Sequence, residues 1–189
     1  VDPGDASFQI LKMLETARVT VPDLKIESIF HTHAHLDHFG ATRPVVESLS
    51  RLQGARPQVI LHADDADLWK NLQTQGQMFG RTYDPPTEVD VWVEDGEVLE
   101  VGSLKFECLH TPGHSPGGLC FYLKDQEVYT GDTLFQGSVG RTDLWGGDHR
   151  TLIRSIQSRL MVLEEDLPAH PGHGPSTLIG IEKRENPFL

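Results

Sequence analysis

Ten of the 189 residues are histidines, and four of them crowd into the string His31-Thr32-His33-Ala34-His35-Leu36-Asp37-His38-Phe39-Gly40. The residues before it, Ile26 to Phe30, alternate as a half-buried strand does, so the string marks a strand running out into a polar loop. Imidazole nitrogen and carboxylate oxygen form the donor set that borderline divalent ions prefer. In extended backbone, positions two apart face the same way, which lets His33 and His35 grip one ion while Asp37 and His38 turn toward a second. A chain carrying this string must therefore build a sheet whose strand ends can bring up the remaining ligands.

Three later places offer them, each at a junction rich in glycine or proline. They are His114 in Thr111-Pro112-Gly113-His114-Ser115-Pro116-Gly117, Asp132 in Thr130-Gly131-Asp132-Thr133, and His173 in Pro171-Gly172-His173-Gly174. Glycine lets backbone crowd a metal site and proline holds the turn, so the ligand is placed at low entropic cost. A lone histidine in a turn is ordinarily a surface residue, but in company with the first cluster these positions read as ligands.

The text between them predicts alternating helices and strands. Phe8, Leu11 and Leu14 share a helical face ending near Val19, and Val45, Leu49 and Leu52 share another, with Gly54 as its stop. Gln58 to His62 reads as a buried strand. From Asn71 to Val91, Gly76, Gly80, Pro85 and Pro86 with little periodicity suggest a surface excursion able to act as a lid. Val98 to Val101, Leu104 to Leu109, Gly118 to Leu123 and Glu127 to Thr130 form an antiparallel meander. A Gly-rich loop from Thr133 to Gly147 then precedes a helix built on Leu152, Ile156 and Leu160, a short strand, and a short final helix. Without repeat, linker or low-complexity tract, residues 1–189 are expected to form a single α/β domain.

Composition removes several functions. Lys and Arg number 16 against 28 Asp and Glu, a net charge of −12, which opposes binding to nucleic acid. The apolar share of 38% is too high for a disordered chain. No run approaches the roughly 18 apolar residues of a membrane span, so neither membrane nor nucleic acid is an expected partner. Cys108 and Cys120 lie in strand-like apolar text, where buried free thiols are ordinary, and a reducing, cytoplasmic setting is expected. The sequence opens Val1-Asp2-Pro3-Gly4 without methionine, so a targeting segment is not observable.

The string His33-x-His35-x-Asp37-His38, followed by His114, Asp132 and His173, resembles the metallo-β-lactamase superfamily. The opening Asp2-Pro3-Gly4 resembles the turn before its first long helix. Gly140-Arg141-Thr142-Asp143 and the ending Asn186-Pro187-Phe188-Leu189 are similar to the short, single-domain branch of glyoxalase II-like hydrolases. The resemblance implies a four-layer αβ/βα sandwich. It assigns His33, His35 and His114 to a first metal, Asp37, His38 and His173 to a second, and Asp132 as the bridge. Members carry a further strand pair before the Asp-Pro-Gly turn; its absence leaves open a truncated sequence or a sheet with a bare edge, which would favour dimers over a monomer.

Two divalent ions, expected to be Zn with Fe or Mn as alternatives, would lower the pKa of bound water toward ~7 and polarise a carbonyl. Asp37 would help orient the resulting hydroxide, which with the bridging Asp132 makes these two carboxylates the catalytic pair. No separate general acid stands in the motif, and a thiolate, unlike an amine, departs without one. Hydrolysis of small thioesters follows, and the resemblance names S-D-lactoylglutathione as the substrate type. Arg141 corresponds to a basic residue that meets the glutathione portion in longer members; an ion pair with Asp143 is its other reading. The alternative from another class is a mononuclear iron persulfide dioxygenase, which also carries a Gly-Arg-Thr-Asp-like stretch. His149 and His170 adjoin the site loops as potential ring N–H partners of ligands, and Phe135 and Trp145 as potential pocket walls.

Overall fold

The structure is a computed structural model that describes residues 1–189. Its chain forms two compact units, Val1–Leu61 with Ala66–Trp92, and His62–Asp65 with Val93–Leu189.

In the first unit, helix α1 (Ser7–Thr20) rests Ile10, Leu11 and Leu14 on a core that includes Phe39, Val45, Leu49 and Val59. Phe8, expected on that face, is 77% exposed. The partly buried stripe is centred on Ile10 and Leu14, and Phe8 lies roughly a third of a turn away from it. Strand β1 (Ser28–Phe30) pairs in parallel with β2 (Gln58–His62) in the register Ile29 to Val59, and β3 (Val91–Val93) completes the sheet in the order β1-β2-β3. β1 is shorter than its apolar text because Gln53 intercepts Ile26: its Oε1 accepts the Ile26 N–H at 3.1 Å and its Nε2 donates to the Ile26 carbonyl at 2.7 Å.

Helix α2 (Leu36–Phe39) is a single turn, and α3 (Thr42–Gln53) stops at Gly54, whose φ of 69° is the left-handed cap expected of glycine there. Leu52, in the last turn of α3, is exposed.

The stretch from Asn71 to Val91 is more ordered than its sequence suggests. Helix α4 (Ala66–Lys70) leads into α5 (Leu72–Met78). Buried Gln75 fastens α5 by donating to the carbonyls of Ala34 at 3.0 Å and Leu68 at 2.8 Å. The remaining residues are tied down rather than free. Tyr83 donates to Asp5 at 2.7 Å, Arg81 pairs with the same carboxylate, and Trp69 Nε1 donates to the Thr87 carbonyl at 2.9 Å.

The second unit is built on the expected antiparallel meander of β4 (Val98–Val101), β5 (Leu104–His110), β6 (Leu119–Leu123) and β7 (Glu127–Gly131). The Gly-rich loop folds a small hairpin, β8 (Leu134–Phe135) with β9 (Ser138–Val139), which the sequence did not suggest. Helix α6 (His149–Ser155) is capped by Asp148, whose Oδ1 accepts the Thr151 N–H at 2.7 Å, and continues into a π-helical turn, Ile156–Leu160. Strand β10 (Pro168–Pro171) joins β7 in parallel, β11 (Thr177–Leu178) closes that edge, and α7 (Ile179–Glu185) ends the fold. The six-stranded order is β11-β10-β7-β6-β5-β4.

Leu109, Val128, Leu152, Ile156 and Leu160 are fully or nearly buried in this unit, and each contributes about 1.5–3 kcal/mol to folding. Cys108 and Cys120 are buried free thiols, as expected, and burial pushes them up to about 12 and about 11. No helix is long and apolar enough to cross a membrane.

Candidate metal centre

In the first unit the chain leaves β1 at Phe30 and, after five residues without regular structure, enters α2. His35, extended at φ −71° and ψ 153°, is the residue before the helix, and Asp37 and His38 lie inside it. The ring centroids of His33 and His35 stand 4.7 Å apart, and those of His33 and His38 4.1 Å apart. All three imidazoles are nearly inaccessible, whereas the Asp37 side chain is 46% exposed. Three imidazoles this close and this dry cannot all be cationic; a neutral ring carries one proton and keeps the lone pair of its other nitrogen for an ion.

Which nitrogen is kept is decided by Asp2. Its Oδ1 accepts the Thr32 N–H at 2.8 Å, and its Oδ2 accepts the Thr32 hydroxyl at 2.7 Å and Nδ1 of His38 at 3.1 Å. Because the Thr32 hydroxyl proton is committed to Asp2, its oxygen accepts from Nδ1 of His33 at 3.0 Å. Both rings therefore carry their proton on Nδ1 and present Nε2 to a ligand. Burial pushes the Asp2 carboxyl up, but the His38 hydrogen bond, electrostatic attraction to the His38 and His31 imidazoles, and the Thr32 hydroxyl outweigh it and hold the group below its usual range. Asp2 was visible in the sequence only as part of the Asp-Pro-Gly turn; its bonding to the ligand string was not.

His31 is no ligand. It is fully buried, lies 4.2 Å from the Phe39 ring, and shares a 3.1 Å hydrogen bond with Thr42 Oγ1. Burial pushes its pKa down to about 3; the Asp2 charge opposes this and His38 reinforces it.

In the second unit, His114 sits on a turn anchored from two sides. Asp65 accepts the Ser115 hydroxyl at 3.0 Å and the Gly117 N–H at 2.6 Å, and Ser155 donates to the Pro112 carbonyl at 2.7 Å. At Gly113, with φ of 133°, a Cβ would lie 2.3 Å from the backbone nitrogen of Leu152, so only glycine lets the turn sit on α6. Asp132 follows β7 directly, and a Cβ on Gly140 would stand 1.8 Å from its carbonyl oxygen. That close approach brings the next residue, Arg141, to His114, whose Nδ1 donates to the Arg141 carbonyl at 2.7 Å and so points Nε2 at Asp132.

Oδ2 of Asp132 lies 3.6 Å from Nε2 of His114 and 3.7 Å from Nε2 of His173. These gaps are too long for hydrogen bonds. They are close to the ~3.4 Å that separates two ligands held ~2.1 Å from one tetrahedral ion. The donor chemistry and the spacing both fit a divalent metal.

The other expected residues divide. Arg141 holds a bidentate ion pair with Asp143, at 2.7 and 2.8 Å, and both side chains are mostly exposed. His170 bonds Ser176 at 2.8 Å and Glu127 at 3.1 Å, fastening the strand that leads to His173. The Phe135 ring is 6.5 Å from that of His173, and Trp145 is exposed. Asp65 was missed: in Ala63-Asp64-Asp65-Ala66-Asp67 nothing local separates a structural carboxylate from its solvated neighbours.

The family model described as Metallo-beta-lactamase superfamily matches residues 1–173. The chain belongs to the metallo-β-lactamase superfamily. It is 38% identical over 192 residues to the hydroxyacylglutathione hydrolase GloC of Haemophilus influenzae, an alignment covering 100% of this chain and 85% of GloC. Among solved structures, TTHA1623 in a di-iron-bound form superposes with a TM-score of 0.84 at 38% identity, covering 100% of this chain and 87% of that one. The BLEG-1 B3 metallo-beta-lactamase superposes with a TM-score of 0.87 at 36% identity, covering 100% and 86%. The mixed α/β architecture is thus the metallo-β-lactamase fold, in a superfamily of metal-dependent hydrolases, and histidine and aspartate groups of the chain could hold divalent metal.

Proposed function

We propose that the chain is a binuclear metal-dependent hydrolase of small thioesters, of the S-D-lactoylglutathione type. His33, His35 and His114 would hold one ion, Asp37, His38 and His173 the other, with Asp132 as the shared carboxylate. The observation that carries this reading is the position of Asp132 Oδ2, 3.6 and 3.7 Å from imidazole nitrogens of His114 and His173, which are assigned to different ions.

Bound there, Zn, Fe or Mn supplies water activated near neutral pH and a positive field for the acyl oxygen. Asp37 orients the attacking water. No general acid stands among the proposed groups, so the leaving group must depart unprotonated, which a thiolate does and an amine does not. The whole-chain similarity to GloC supports the same substrate class. Arg141, released from Asp143, takes a carboxylate of the thiol portion. The chain works as a monomer or homodimer on a small molecule, without nucleic acid or membrane, in the reducing cytoplasm that suits its two free thiols.

The test is metal content per chain on protein purified without added metal, alongside thiol release from S-D-lactoylglutathione. Two ions per chain with thiol release, both lost in His35→Ala and Asp132→Ala, are expected. Full thiol release in Asp132→Ala would sink the bridging role. One iron per chain with oxygen consumed on glutathione persulfide would replace the hydrolase by the dioxygenase, and β-lactam turnover exceeding thioester turnover would overturn the substrate class.

A further inference from the structure

We propose that His62, Asp64 and His110, in the second unit, form an additional metal site for a borderline divalent ion such as Zn2+. This goes beyond the proposed hydrolase centre and shares no ligand with it.

One ligand atom from each of the three residues lies within 4.8 Å of the others. The imidazoles of His62 and His110 are stacked, 4.0 Å between centroids and 12° from parallel, so their ring nitrogens turn to a common edge. At that edge stands Asp64 Oδ2, 3.8 Å from Nδ1 of His62 and 3.9 Å from Nε2 of His110. Ligands sharing one tetrahedral ion stand ~3.4 Å apart, and the Asp64 side chain, 59% exposed, has the freedom to close the difference.

The protonation pattern agrees. Nδ1 of His62 accepts the Asp64 N–H at 3.2 Å, so that nitrogen is unprotonated with its lone pair on the Asp64 side, and an ion would take the place of that N–H. Burial pushes the His62 pKa down and the neighbouring His110 charge adds to this, against the pull of Asp64, Asp95 and Glu94, which leaves the ring neutral in neutral solution. His110 Nε2 donates to the Pro116 carbonyl at 2.9 Å; an ion would take that nitrogen by shifting the proton to Nδ1. Two nitrogens and one carboxylate with an open, solvent-facing side leave room for water to complete the shell, and nitrogen donors select Zn2+, Ni2+ or Cu2+ over Mg2+ or Ca2+.

The site has a consequence for its surroundings. His110 ends β5 at the start of the turn that carries His114, and Asp65, beside Asp64, holds that same turn through Ser115 and Gly117. An ion there ties the 62–65 segment to β5 and releases the Pro116 carbonyl.

The experiment equilibrates the metal-loaded protein with micromolar Zn2+ and counts ions per chain by elemental analysis. Wild type is expected to hold one Zn2+ more per chain than His62→Gln, while Asp64→Asn weakens the extra site at least tenfold, with thioester hydrolysis in both variants within about twofold of wild type. Equal stoichiometry in wild type and both variants would overturn the site. Asp64→Asn, at an exposed position, keeps the comparison open should His62→Gln fold poorly. On the wild type itself, crystals soaked in Zn2+ and measured at the zinc edge should show an anomalous peak between His62 and His110; no peak there would equally overturn it. Because ions are counted by difference, the outcome does not depend on which substrate the hydrolase centre turns over.

Discussion

The backbone carbonyl of Arg141, and not its guanidinium, is what touches the proposed metal ligand His114: the carbonyl accepts the Nδ1 proton at 2.7 Å, while the guanidinium is occupied by Asp143. Main chain and side chain of one residue thus serve separable purposes. Arg141→Ala should leave metal content unchanged and hardly move Tm, since an exposed ion pair contributes little. KM for the glutathione thioester should rise several-fold with kcat preserved. An unchanged KM with a lowered Tm would assign the arginine to holding its loop.

Gly140 is where that carbonyl obtains its position. A methyl group there would be driven into the Asp132 carbonyl, so Gly140→Ala should cost about 2 kcal/mol or more and release metal, because the displaced segment carries the His114 partner with it. Thermal melting and metal analysis on the same sample check this, and a variant that melts like wild type with full metal content would contradict it.

Asp2 sets the ring protons of His33 and His38 through Thr32 and directly. Asp2→Asn removes a charged acceptor and offers the His38 ring a donor instead. Metal affinity should fall about 10- to 100-fold, measured by competition with a chromophoric chelator. Unchanged affinity would mean that the ligands hold their orientation without it.

His31 makes the fold sensitive to acid. In the unfolded chain it takes a proton near its ordinary value of 6.5, and in the fold only near about 3. Between these values the unfolded state binds more protons, so stability falls as pH is lowered from 6.5 toward 3, by up to about 1.4 kcal/mol per pH unit. His31→Gln, which keeps a partner for Thr42, should flatten the dependence of the urea midpoint on pH between 7 and 5. Parallel slopes in the two proteins would remove His31 as a cause.

What was legible in the sequence follows from how local the information was. The ligand string, each of the three glycine-flanked junctions and each strand of the meander declare themselves within ten residues, and the family resemblance rests on the string and the junctions. Helix α5 does not, because Gly76 weakens its intrinsic preference and what holds it is remote: Gln75 reaches back to Ala34, and the missing Cβ of Gly76 makes room for the Tyr83 ring. The shortened β1 has the same origin, since its backbone partners belong to Gln53 on another helix. Asp2 and Asp65 were silent for the related reason that a carboxylate's work is defined by the donors that surround it, and those come from residues 30 or 50 positions away.

Asp65 also bears on how an ion is taken up. With Ser115 and Gly117 clamped to a buried carboxylate, the His114 turn is set when the chain folds, and little ordering is left for the moment of capture. As the proposed ligand, His114 would act as one arm of a rigid chelator: the apo and loaded proteins should differ little around residue 114, and exchange of the ion should be governed by breaking bonds to the metal rather than by motion of the loop.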